Sequence, residues 1–147
     1  MRTVFVFPDM TQAAVVELLD RMSPGQDAPW LVDGCLYAEL TGGDELYSDW
    51  EPEAVRDLTR ACGRLPYWAV QVDVSGRVDG TAEVRRLISA LLVDGGVAID
   101  DYSDHPWTAA DIADEVVADG LRFFDFRAHH ERTRSARAGI GTDHQAG

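Results

Sequence analysis

The stretch VAIDDYSDHPW (residues 97–107) follows an apolar run with Asp100, Asp101, Asp104 and His105, set among Tyr102 and Trp107. Carboxylates beside an imidazole have three ordinary uses. They can hold a hard cation such as Mg²⁺, which prefers oxygen ligands, while the imidazole acts as a base. They can present a negative surface with aromatic anchors to a basic protein. Or they can close a strand and open a turn, because Asp and Ser bond readily to nearby backbone amides. A second acidic strand end, QVDVSGRVDG (71–80), supplies Asp73, Ser75 and Arg77 and admits the same three readings.

No catalytic spacing accompanies these residues. DxDx(T/V), HExxH, an EF-hand loop and paired Cys/His spacings are all missing from the sequence. GRVDG and VDGG lack the glycine patterns of a phosphate loop, and Ser75 in DVSGR is not framed as a GxSxG nucleophile elbow. HHERTR (129–134) reads as an exposed helical extension before it reads as a metal or anion site. Cys35 and Cys62 share no CxxC spacing and fall on apolar positions, as small buried thiols of a reducing compartment do. The residues therefore assign no catalytic group, no metal ligand and no cofactor. A small Mg-dependent hydrolase or phosphoryl-transfer enzyme using Asp73, Asp100, Asp101 and His105 stands as the alternative to a binding role.

The elements that must position these groups alternate along the chain. TVFVF (3–7) is a strand ended by Pro8, and Val15, Leu18, Leu19 and Met22 recur at helical spacing over about 10–22, with Asp9 and Gln12 as a capping pair. WLVDGCLYAEL (30–40) reads as one strand with a bulge or kink near Asp33 and Gly34. A helix over about 51–62 follows, with Ser48 and Glu51 at capping-box spacing and Pro52 in its first turn. In PYWAVQVDVS (66–75), Trp68, Val70, Val72 and Val74 share one face while Ala69, Gln71 and Asp73 take the other, the alternation of a strand. Val84, Leu87, Ile88, Leu91 and Leu92 form the stripe of a helix over about 81–93. VAID (97–100) returns as a strand, and a last helix starts at Thr108, boxed by Asp111, and runs to about Ala118. LRFFDF (121–126) is either an edge strand or a helical turn.

This order predicts an α+β fold: a single two-layer sandwich on a split βαβ (ferredoxin-like) sheet with extra helices. Residues 1–133 form one acidic domain, and 134–147 a flexible C-terminal tail. The β-α-β unit over 66–101 makes its two strands parallel, so Asp73 and Ser75 finish on the same rim as Asp100 and Asp101, with Arg77 in the loop between. With one strand intervening, the acidic ends lie about 10 Å apart. Trp68 belongs to the core; Trp50 and Trp107 sit at helix entrances, either as staples or, with Tyr37, Tyr47 and Tyr102, as a binding surface.

Composition narrows the partners. The chain has 147 residues, 46% of them apolar, enough for one real core. Its 26 acidic residues face 13 basic ones, all Arg, for a formal charge of −13. Such a balance repels nucleic-acid phosphates and anionic membranes and favours a basic protein. No stretch approaches a signal peptide or a membrane span, so a cytoplasmic location is expected. From 121 onward five Arg stand against three acidic residues, which makes a homodimer through that segment a further possibility.

The stretch WAVQVDVSGRVDGTAEVRRLISALLVDGGVAIDDYSDHPWTAADI, followed by FFDF, is similar to the second half of short, uncharacterised bacterial proteins. These resemble the immunity proteins that neutralise polymorphic toxins, and the likeness spans about residues 66–126. It implies a cytoplasmic protein without cofactor that works by occluding another protein, and it carries over no catalytic residue. The expectation is a non-catalytic binding module for a basic partner, with a cognate toxin as the candidate. Its contact face is Asp73, Arg77, Asp100, Asp101, Tyr102, Asp104, His105 and Trp107.

Overall fold

A computed structural model describes residues 2–134. The element order is β1 (Arg2–Pro8), α1 (Gln12–Met22), β2 (Trp30–Val32), β3 (Leu36–Gly42), α2 (Pro52–Cys62), β4 (Trp68–Val74), α3 (Thr81–Leu91), β5 (Gly96–Ile99) and α4 (Ala109–Ala113). A further helix, α5, runs over 126–134. The strands form one five-stranded sheet in the order β2-β3-β4-β1-β5, every neighbouring pair antiparallel. The chain is thus a mixed α/β protein. Because β4 and β5 each run against β1, they are parallel to one another with β1 between them, and their C-terminal ends share a rim.

Side chains alternate between the two sheet faces, and both faces are covered. Val4 and Val6, Leu36 and Ala38, and Val70, Val72 and Val74 point to a core with Val15 and Leu19 of α1 and Val84, Leu87, Ile88 and Leu91 of α3. The opposite face carries Phe7, Ala69, Val97 and Ile99 against Leu58 of α2, with Phe5, Tyr47 and Trp50 alongside. The expected two layers therefore become three on the β1–β5 side. The reason is visible in β1, where Phe5 and Phe7 make the second face as apolar as the first. Towards β3 that second face turns polar, with Glu39, Gln71 and Asp73 only partly buried.

Local chemistry accounts for the differences from expectation. The strand expected over 30–40 reverses on itself: Asp33 and Gly34 both take positive φ (53° and 73°), and Cys35 N–H donates to the Val32 carbonyl at 3.2 Å. Two consecutive left-handed residues make a hairpin turn, not a bulge. Thr11, not Asp9, caps α1 by accepting from Ala14 N–H. Ser48 bonds the Glu45 carbonyl and leaves α2 to start on Pro52. The box of Thr108 and Asp111 is formed, but α4 ends at Ala113, since Glu115 has φ 51°. LRFFDF is a tight turn feeding α5, with Phe123 and Phe124 in the core. Arg134 still belongs to α5, and the rest of the expected tail lies outside the described residues.

Candidate functional site

The shared rim brings the two acidic strand ends together through one residue. Thr3, on β1 between them, donates its hydroxyl to Asp73 Oδ1 at 2.6 Å and its backbone N–H to Asp101 Oδ2 at 2.7 Å. Asp73 also accepts from Gln71 Nε2 at 3.1 Å. Burial of the Asp101 carboxyl end raises its pKa, and the negative charge of Asp73 raises it further. The Asp101 residue itself remains exposed.

Asp100 turns the other way. It is only 6% exposed, and its carboxylate accepts backbone N–H bonds from Tyr102 (3.1 Å), Ser103 (3.3 Å) and Phe124 (2.7 Å). Burial pushes its pKa up against the pull of those three bonds. This carboxylate organises the loop after β5 and ties it to the Phe123–Phe124 turn. Trp107 is also internal: it exchanges both backbone hydrogen bonds with Ala98 at 2.8 Å, and its ring is fully buried beside Phe123. Trp107 therefore leaves the expected contact face, and Asp100 keeps to its edge as a carboxylate already committed to the backbone. Both sit where the chain folds inward to cover β5.

Four of the expected residues meet at a groove, Asp100 only as part of its buried lining. Asp101, Tyr102 and Asp104 line one side of a depression of about 420 Å³, and Asp49, Trp50 and Glu51 line the other. Phe5 and Ile99, register partners on adjacent strands, lie between. Trp50 meets Phe5 and Phe7 edge-on, with ring centroids at 5.9 and 6.0 Å, and Tyr47 at 5.1 Å. That cluster holds the loop before α2 against the sheet. Among the described residues, none of the groove carboxylates has an ion pair. The Arg partners go to Asp57, Glu115, Asp33 and Asp79 elsewhere. Tyr102 is pushed up to about 12 by burial and by its acidic neighbours, so it stays a neutral hydroxyl at physiological pH.

The remaining candidates lie apart. Arg77 is exposed on the β4–α3 loop, in a patch with Arg2, Arg127 and His130. There the Arg2 guanidinium lies 4.6 Å from the Phe126 ring centre and donates to the carbonyls of Ser75, Val78 and Asp79. His105 stacks edge-on against Trp107 at 4.4 Å, with its Nε2 3.4 Å from Asp111 Oδ2. The convergence of Asp73, Asp100, Asp101 and His105 that metal chemistry requires is not formed. Among the described residues no group of three or more His, Cys, Asp or Glu is placed to hold a metal. Burial raises both Cys35 and Cys62, which keeps the thiols protonated and weakly nucleophilic.

A larger cleft of about 970 Å³ opens at the opposite rim, walled by Met10, Cys62, Arg64, Tyr67, Trp68 and Val93 among others. It lacks the concentration of like charge that distinguishes the groove. Sequence reasoning missed Asp49, Glu51 and Phe5, and offered Trp50 as a staple or a binding surface without joining it to the acidic strand end. The signal available was DWE immediately before a helix, and the shared face of Phe5 and Phe7. No family model, no curated protein and no solved structure matches the chain.

Proposed function

We propose that the protein is a non-catalytic binding module that captures a basic protein at the acidic groove, acting as an immunity protein that neutralises a toxin by occluding its active site. The observation that carries this reading is the groove itself: Asp49, Glu51, Asp101 and Asp104, without cations of their own among the described residues, around half-buried aromatic rings. Exposed like charges repel one another until an opposite charge covers them, and a net charge of −13 steers a cationic surface towards them. Aromatic rings beneath supply the apolar area from which interface hot spots are built. Asp73 lies next to this groove through Thr3, whereas Arg77 and His105 stand outside it. At the level of the fold, the reading is a split βαβ, ferredoxin-like sheet extended by β2 and α2. The placement of β1 between parallel β4 and β5 supports it.

The test is affinity capture from the source cell with two baits, the natural chain and an Asp101→Arg, Asp104→Arg variant. The expected result is a basic protein held by the first and lost from the second, with an association rate that falls as salt is added. Equal retention on both baits, or association indifferent to salt, would reject the groove as the contact face.

A further inference from the structure

We infer that the groove receives an arginine side chain of the partner, its guanidinium lying on the aromatic floor between the two acidic walls. This rests on the protein-binding reading and names what that reading leaves open: which chemical group of the partner is recognised.

The argument starts from the complementarity of charge and shape. One wall carries Asp49 and Glu51, the other Asp101 and Asp104, and both Phe5 and Trp50 contribute rings. Glu51 caps α2 by position but makes no capping hydrogen bond, so its carboxylate is not committed to the helix. Asp49 and Asp104 are exposed, and among the described residues the Asp101 carboxylate accepts a hydrogen bond only from Thr3 N–H. A guanidinium is planar, can lie on an aromatic face, and carries five N–H donors that diverge in its plane. It can therefore reach carboxylates on both walls at once, whereas an ammonium is a compact, strongly hydrated point charge. The same molecule already holds one guanidinium against aromatic rings, there with backbone carbonyls in place of carboxylates. Arg2 lies over Phe126 and Phe124, at 4.6 and 5.4 Å from the ring centres, with its donors spent on surrounding oxygens. At the groove the rings and oxygens are in place and the chain supplies no cation among the described residues.

The experiment uses the full-length ¹⁵N-labelled chain and two probes of nearly equal shape, N-acetyl-argininamide and its uncharged analogue N-acetyl-citrullinamide. The reporter is the indole N–H resonance of Trp50, identified by its loss in Trp50→Phe. The arginine probe should shift that resonance saturably, and citrulline should bind about tenfold more weakly or worse, because it loses the charge-assisted bonds. Glu51→Gln with Asp104→Asn should weaken the arginine probe by a similar factor, while Glu17→Gln with Asp94→Asn, exposed acids away from the groove, should not. A lysine analogue binding as well as arginine would overturn the choice of guanidinium. Equal shifts with citrulline, or equal weakening by the distant pair, would overturn the site. A basic protein captured by the natural chain but not by the charge-reversed bait, with Trp50 silent towards the arginine probe, would remove this inference and leave the broader reading standing.

Discussion

Asp100 is the carboxylate whose loss the fold should feel most. Its removal strands the buried N–H of Phe124, which costs about 1–3 kcal/mol, and the half-buried N–H groups of Tyr102 and Ser103, which cost less. Asp100→Ala should therefore lower stability in urea by about 2–4 kcal/mol. The pH dependence has a definite sign. Burial raises the folded-state pKa of Asp100 above its ordinary 3.8, so in the window starting there the folded protein keeps a proton that the unfolded chain has released. The stability that protonation lends is complete below 3.8 and disappears as pH rises through the raised value. The gap between the natural chain and Asp100→Ala should accordingly narrow with rising pH in unfolding measurements, and a constant gap would contradict the shift. Trp107 makes the complementary case. Truncating a ring buried this fully costs about 3–5 kcal/mol. Trp107→Ala should thus depress the melting temperature while leaving the affinity of the folded fraction unchanged, the opposite of what a surface anchor would do.

Among the elements, the helix starts separate what can be read locally from what cannot. Thr11 and Thr108 each accept a backbone N–H with the side-chain hydroxyl, at 3.1 Å in both cases, whereas Glu51 makes no such bond. Thr11→Ala should cost about 1 kcal/mol and Glu51→Ala less than about 0.5, a contrast that paired thermal melts resolve. The Thr108–Asp111 box was legible because the whole motif spans four consecutive residues. The strand of Val70, Val72 and Val74 was legible because one buried face enforces alternation. The Asp33–Gly34 reversal was not, since alternating apolar residues on either side suit a straight strand and a hairpin equally, and only the paired positive φ values decide. The site divides along the same line. Asp101, Tyr102 and Asp104 are neighbours in sequence and stood out by composition. Asp49, Trp50 and Glu51 reach them only because Leu58 anchors α2 over Phe7 and Val97, a packing choice made across the sheet. For Trp107 the sequence leaves staple and surface anchor both open; its bridge to Ala98 turns it inward and decides for the core, which the run of polar residues before it does not announce.

Taken as a whole, the molecule carries far more negative charge than its arginines offset, and the groove gathers part of the excess. Exposed carboxylates close together raise the energy of the folded state, by an amount that salt reduces over a screening length of about 10 Å at 0.1 M. Raising NaCl from about 10 mM to about 150 mM should therefore increase the melting temperature. Neutralising two groove acids, as in Glu51→Gln with Asp104→Asn, should increase it at low salt by roughly 1–2 °C and shrink the gain from added salt. The same double substitution should weaken the basic partner, because charges that repel one another in the free protein are those the partner neutralises. Opposite signs for stability and binding mark residues kept for recognition at the expense of the fold. Were the double variant to lose stability and affinity together, the acids would instead be holding the loops on either side of the groove, and the surface that meets the partner would have to lie elsewhere.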